Sequence, residues 1–373
     1  MFHVKHRKGD GMNAKLNERQ LTLIILNLLV VKMIFIFTRY LFKTSGNAAW
    51  IEAVYITVIA FFLLEISFCF YRYTGCRSII QISESVGGMP LKIITALLVF
   101  VVFFVNVGTE MRTFAESVKI ILLPNAKIEY IMILFAIAVG IGCYCGINAI
   151  ATINTLYFPL CLFFLGTLGI MLVKDYNINN ILPIFGTGVK NIFFRGITDV
   201  SCFGDVLALN LLIPYCDDIK TVKKSGRKAV LIGGFVLTML CLAYGLIYPY
   251  PYSGEFLLTT YQMSRMVRVG EYFQRFEAFF ELIWAIMQLL YSSIYVFLIC
   301  DVIAKTFKLK NYQPIVSCVI IFIAIMAFEP ASIVDFLNIS GTFRQSVFPL
   351  AFILPVFIPM LYKITKRKRI DKS

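Results

Sequence analysis

The sequence predicts an all-α polytopic membrane protein of about ten transmembrane helices, and three observations carry that prediction. Of the 373 residues, 59% are hydrophobic and 15% charged, whereas an ordinary soluble domain is about 45–50% apolar and about 25% charged. Apolar runs of roughly 20 residues, the length a helix needs to cross a bilayer, recur along the chain. The alternating pattern of an outer-membrane barrel does not occur.

The spans follow in order. A basic start precedes the first apolar run, as in a signal peptide, but no small-x-small cleavage site follows and Lys43-Thr44 leads on toward another span. Residues 18–42 therefore read as an uncleaved first helix behind a basic tail, 1–17. The second span covers 48–70, and Gly87-Gly88-Met89-Pro90 breaks the chain before the third, 90–112. "GCYCGIN" is a short linker between the fourth span, 128–146, and the fifth, 148–173. The sixth, 192–214, is strongly polar and broken by glycines. After the seventh, 229–249, a long connection is expected to carry a short helix on the outer surface. Spans 276–304, 312–329 and 335–362 complete a ten-helix permease domain, 18–362, and 363–373 is a basic tail. Ten spans invite two halves of five, 18–173 and 192–362. Because five is odd, the halves would be inverted, with the first helix of each interrupted at a binding site.

Lys and Arg outnumber Asp and Glu by 35 to 21. In a soluble protein that excess would suggest nucleic acid. Here the basic residues sit in connections and tails, which reads as cytoplasmic-side bias in a protein whose surroundings are lipid, with no nucleic acid. Lys220, Lys223, Lys224, Arg227 and Lys228 mark the 6–7 connection, Lys305, Lys308 and Lys310 the 8–9 connection, and "KITKRKRIDKS" the C-tail. These are two spans apart each, so the parity is consistent, and both termini are expected in the cytoplasm with 252–270 outside. Arg265 and Arg268 run mildly against the rule.

No cofactor or metal is expected. The two histidines, His3 and His6, lie in the basic N-tail, so no His-dependent triad or His-ligated metal exists in the membrane body. Most of the ten cysteines lie inside apolar runs, and Cys143 with Cys145 forms only a C-x-C. These facts point away from an enzyme.

The candidate site rests on polar residues inside spans. In "FFRGITDVSCFGDV" (193–206), Thr198, Ser201 and Asp205 stand at i, i+3 and i+7, on one face of an α-helix. Gly196 and Gly204 weaken the helix on either side. A carboxylate in the bilayer is costly, so Asp205 should face protein or a water-filled cavity. Asp199 lies about a third of a turn from that face. These residues either line a solute site or join helices by hydrogen bonds. In the eighth span Glu277, Glu281, Trp284, Gln288, Tyr291 and Tyr295 keep one face. Its outer end, with Arg275 beside the two acids, reads as a belt anchor or a vestibule, and Gln288 and Tyr291 as deeper, cavity-facing groups. In the third span Asn106, Glu110 and Thr113 share a face, with Glu110 and Arg112 expected near the interface. Asn148, Thr152 and Thr155 in the fifth read as helix-packing material.

Three stretches together resemble the spore germination permeases, the membrane-embedded B subunits of nutrient germinant receptors. They are "LPIFGTGVKNI" (182–192), "FGDVLALNLLIPYCDDIKTVKK" (203–224) and "FQRFEAFFELIW" (273–284); "SGNAAWI" (45–51) fits the family's start to the second span. The resemblance implies the amino acid–polyamine–organocation transporter fold, two inverted five-helix repeats of LeuT-like design. It implies residence in the spore inner membrane, assembly with a large A-type membrane subunit and a lipoprotein C-type subunit, and recognition of a small germinant, commonly an amino acid. On it, Thr198, Asp199, Ser201, Gly204, Asp205, Asn106, Gln288, Tyr291 and Lys32 are expected to line the ligand site.

One departure stands out. The family's first span carries a Gly break and a Pro, whereas "NLLVVKMIFIFTRY" (27–40) has neither and holds Lys32 instead. An intact helix offers no free backbone groups to a ligand's charged ends. Lys32 snorkels, meets an anionic ligand, or pairs with a buried acid such as Asp205; pairing also explains why Asp205 is tolerated. A germinant-receptor subunit is the favoured function. An ion-coupled amino acid transporter, with Asp205 as its proton or cation site, and a scaffold with a decayed site are the alternatives.

Overall fold

The computed structural model describes residues 15–267, 276–329 and 333–370. His3, His6, Arg268, Arg275 and the last three residues of the C-tail lie outside them. Eight described helical runs are long and apolar enough to cross a membrane. The first, Glu18–Tyr71, contains two spans, and the helix Gln313–Phe328 is shorter. With these the count of crossings is ten.

The first span consists of α1 (Glu18–Lys32), a π-helical turn (Met33–Phe37) and α2 (Thr38–Ser45). Asn17 caps α1 in a reciprocal box with Gln20, which supplies partners for end N–H groups that no helix satisfies internally. The second span is α3 (Ala49–Tyr71). The third, α4 (Ile79–Ile121), begins earlier and ends later than its apolar run. Gly87 and Gly88 depart from helical angles inside it, Gly88 with φ of 66°, and the chain bends there rather than leaving the helix. Lys92 Nζ lies 2.7 Å from Glu84 Oε2 and ties the two arms across that bend. Next come α5 (Ile128–Cys145) and α6 (Ile147–Met171), separated by Gly146 alone at φ of 82°, a value that suits glycine.

The sixth span is mostly not α-helical. It runs as π-helix (Asn191–Arg195), 3₁₀-helix (Gly196–Val206), α7 (Leu207–Leu212) and a final 3₁₀ turn (Ile213–Tyr215). The basic 6–7 connection is the opening of α8 (Ile219–Ile247). Asp218 caps it, accepting from the Thr221 amide at 2.7 Å. Hydrogen bonds from the Thr221 side chain and amide hold that carboxyl below its usual range. Glu18 takes Lys224 and Lys228 at 2.9 and 2.5 Å, and Glu65 takes Lys223 at 3.0 Å together with Arg227. These exposed pairs add little energy each, but they hold the basic helix end against α1 and α3. The expected short helix of the 7–8 connection is α9 (Thr259–Met266). The eighth to tenth spans are α10 (Phe276–Phe307), α11 (Gln313–Phe328) and α12 (Ile333–Ile370).

Packing relates spans five apart. α3 lies on α8, α4 on α10, α5 on α11, and α1 meets the 3₁₀ segment of the sixth span. That is the neighbour pattern of two inverted five-helix repeats. Burial is greatest in the first helix of each repeat: the apolar windows of the first and sixth spans are 83% buried, that of α10 72% and that of α6 28%. A helix hydrophobic on all sides belongs in the protein interior. The two broken helices therefore form the centre of the molecule.

Candidate functional site

The π-turn begins at the residue after Lys32, where neither Gly nor Pro marks a break. Its stability comes from elsewhere in the fold. Thr38 Oγ1 donates to the Met33 carbonyl at 2.9 Å, and Thr259 Oγ1 to the Phe35 carbonyl at 2.9 Å. Thr260 Oγ1 donates to the Ile34 carbonyl, and Trp284 Nε1 to the Val31 carbonyl at 3.2 Å. A polar backbone group in an apolar interior is held by hydrogen bonds from the protein itself. Here Thr38 of α2, Thr259 and Thr260 of α9 and Trp284 of α10 add donors to the carbonyls around the π-turn.

The 3₁₀ winding of the sixth span corrects the α-helical spacing read from sequence. At three residues per turn, Asp199, Cys202 and Asp205 share one face, and Thr198, Ser201 and Gly204 another. The two aspartates are thus aligned, roughly 12 Å apart along the axis at about 2 Å per residue. Gly196 lets this segment approach α3 closely, since a Cβ there would lie 2.4 Å from Glu52 Oε1.

Asp205 sits at the middle of the bundle, and Lys32 Nζ lies 2.5 Å from its Oδ2. Tyr295 of α10 donates its hydroxyl to Oδ1. Tyr291 packs on Tyr295 with ring centroids 4.8 Å apart, and Phe103 of α4 meets the other side of Tyr295 edge-on at 4.9 Å. A turn further along α10, Gln288 Nε2 donates to the Glu110 carbonyl at 3.0 Å and approaches Glu110 Oε2 at 3.4 Å. An ion pair, two tyrosines and an amide thus link four spans. Beside Lys32 is a cavity of about 40 Å³, with Asn106, Thr109, Glu110 and Thr113 of α4 opposite Tyr40 and Phe343. A volume of that size holds a few waters.

The structure brings Lys32, Asp205, Asn106, Gln288 and Tyr291 to this centre. The other residues read from sequence lie elsewhere. Asp199 is buried but accepts from Thr44 Oγ1 at 3.1 Å, three turns along the first span from Lys32. Thr198 is half-buried and donates to the Arg195 carbonyl. Ser201 is buried, and Gly204 faces Ala351 of α12.

Several residues took places that spacing did not predict. Glu110 and Arg112 are buried rather than interfacial, because α4 continues to Ile121 and carries them inward. Glu281 and Trp284 are also fully buried, which removes the belt-anchor reading; Ser117 Oγ donates to Glu281 Oε1 at 2.9 Å. In α6 Thr152 is exposed and bonds back to Asn148, so it joins no helices. The group that does so is Asn154, which accepts from Asn27 Nδ2 at 2.9 Å. Thr259 and Thr260 had no role in the sequence reading, and Tyr295 entered it only as one member of the eighth-span stripe. A hydroxyl that caps a distant carbonyl has no local spacing to betray it.

Comparison with known proteins adds two findings. A family model described as spore germination protein matches residues 15–333. The chain is similar to spore germination protein KB of Bacillus subtilis (strain 168), 24% identical over 342 residues that cover 88% of this chain and 90% of that one. It is likewise similar to spore germination protein YndE of the same organism, 24% identical over 365 residues covering 95% and 98%. Among solved structures, MhsT in complex with L-phenylalanine superposes with a TM-score of 0.68 at 13% identity, covering 92% of this chain and 89% of that one. Mhp1, a nucleobase-cation-symport-1 family transporter with bromovinylhydantoin bound, superposes with a TM-score of 0.66 at 14% identity, covering 92% and 78%. Such identities speak for the fold alone: it is that of these transporters.

Proposed function

Because the chain belongs to the spore germination protein family, an integral-membrane family of permease type, we propose that it is the membrane subunit of a nutrient germinant receptor, holding a small nutrient, an amino acid by expectation, in the cavity beside Lys32. The observation that carries this is the Lys32–Asp205 pair between the two interrupted helices. A built-in ammonium neutralises Asp205, so this carboxylate needs no ion drawn from a gradient. That favours a sensor over the second reading, an ion-coupled amino acid transporter, for which the transporter fold is the supporting observation. In this reading the protein acts by binding, not catalysis. Its partners are an A-type membrane subunit and a lipoprotein C-type subunit, and it resides in the spore inner membrane. Repeats 18–173 and 192–362 form the permease domain, with 1–17 and 363–373 as cytoplasmic tails.

Restoring this gene, with its partner genes, to spores stripped of all nutrient receptors tests the reading. Recovered germination with at least one nutrient is expected. Spores that stay dormant with every nutrient, yet germinate with a trigger that bypasses receptors, would sink it. The orientation has its own check. Lys220→Cys should react with a membrane-impermeant thiol reagent only from the cytoplasmic side, and Tyr252→Cys only from the other; both positions are exposed. Labelling of both from one side would overturn the topology.

A further inference from the structure

Where α3 and α12 end side by side, two cations share one aromatic ring. Lys363 Nζ of α12 lies 4.6 Å from the ring centroid of Tyr73, and Arg72 Cζ lies 4.9 Å from the same centroid. Phe70 is a second ring near Lys363 Nζ, at 6.0 Å. The negative face of a ring attracts a cation, so Tyr73 holds both charges close together. No carboxylate balances them. Among the described residues neither Arg72 nor Lys363 has an ion-pair partner. Glu65, two turns before Arg72, is taken by Lys223 and Arg227. The last carbonyls of α3 do not need the cations either, since those of Phe70 and Tyr71 accept from the Tyr73 and Thr74 amides. Two like charges, both exposed and held at one ring, are matched by an anion placed between them.

The surroundings narrow the anion. Phe62 and Ile66 share the Tyr73 face of α3 and are exposed, and so are Ile353, Phe357 and Ile364 on one face of α12. Ser67 Oγ donates to the Pro355 carbonyl at 3.2 Å and pins the two helices together. Apolar side chains turned outward along membrane helices meet acyl chains, whereas rings and long cations at a helix end lie at headgroup level. A free anion would use the cations alone, and an acidic protein segment would leave the apolar stripes uncovered. A phospholipid uses both. Basic pockets between transmembrane helices suit acidic headgroups for the same reason. We propose that the shared end of α3 and α12 is a binding site for an anionic phospholipid, its phosphate between Arg72 and Lys363 against Tyr73, its acyl chains along the two stripes. Both helices also pack on the 3₁₀ segment of the sixth span. A lipid that clasps their ends therefore braces that segment from outside.

The test titrates the purified full-length chain, in non-ionic detergent, with phosphatidylglycerol and counts bound lipid by native mass spectrometry. Bound and free protein are read in one spectrum, so a change in yield cancels. The attraction of one surface Lys or Arg for anionic lipid corresponds to about fivefold in affinity. Arg72→Gln and Lys363→Gln should therefore each weaken uptake of the first phosphatidylglycerol about fivefold, and the double variant should weaken it further. Both residues are exposed, so neither change leaves a buried group unpaired. Lys220→Gln, which removes an exposed charge of α8, should leave that uptake unchanged. Phosphatidylcholine, with a phosphate but no net charge, should bind more weakly, and inorganic phosphate added at the lipid's concentration should not displace phosphatidylglycerol. First uptake unchanged in the double variant would overturn the inference, as would equal weakening by Lys220→Gln. Equal affinity for phosphatidylcholine would remove the recognition of charge, and displacement by inorganic phosphate would make this a site for a free anion; either result overturns the proposal.

Discussion

Asp205→Asn and Lys32→Met are each expected to lower the amount of protein in the membrane sharply, and the two changes together to restore part of it. Both side chains are buried at the centre of the bundle and lie 2.5 Å apart. A lone Asp205 charge there sits in a fully buried site, and a lone Lys32 keeps only the small cavity with its few waters and Glu110. Removing one partner of a buried pair costs about 3–5 kcal/mol, because the other is left uncompensated. With both gone, no charge remains to solvate, and the cost falls to lost packing and the Tyr295 hydrogen bond. Membrane abundance of all four variants, measured by immunoblot, decides. Asp205→Asn at wild-type abundance but without nutrient response would mean that the carboxylate serves ligand or proton rather than Lys32. Wild-type abundance and response together would remove Asp205 from the mechanism.

Gly186→Ala is expected to be nearly as damaging, although it adds a single methyl group. Gly186 has φ of 46°, where a side chain is strained, and an added Cβ would lie 2.0 Å from the Ser45 carbonyl oxygen and 2.8 Å from the Ala48 amide nitrogen. Both neighbours are backbone, so no rotamer change relieves the overlap. The turn is docked there: Thr187 N donates to the Ser45 carbonyl at 3.2 Å, and Thr187 Oγ1 to the Thr44 carbonyl at 2.8 Å. These contacts join the C-terminal end of the first span to the approach to the sixth, the two helices that carry Lys32 and Asp205. The left-handed conformation alone costs about 1–2 kcal/mol, and parting the docked turn adds to it. A destabilisation of that order changes cellular abundance several-fold. Gly188→Ala is the control, since its φ of 111° also disfavours a side chain while its Cβ would meet nothing within 4 Å. Equal loss in both variants would show that strain, not docking, is responsible.

What the sequence determined by itself is what hydrophobicity and charge determine. Span number, the basic connections and the central place of a polar, glycine-broken sixth helix follow from the cost of moving polar groups into lipid, a cost paid residue by residue and so visible one residue at a time. The same reasoning found Asp205 and Lys32, since two opposite charges in apolar spans each need an explanation and supply one another's. Tertiary structure decided the rest. The π-turn after Lys32 forms without glycine or proline, and its Ile34 and Phe35 carbonyls accept from Thr260 and Thr259, far along the chain. The sixth span winds as a 3₁₀-helix, which put Asp199 on the Asp205 face and turned Thr198 and Ser201 aside. Glu110 looked interfacial by its position in an apolar run, and became central because α4 extends beyond that run. Each of these depends on a hydrogen-bond partner or a packing neighbour supplied by another helix. Local spacing records a residue's own turn of helix and not what lies across from it.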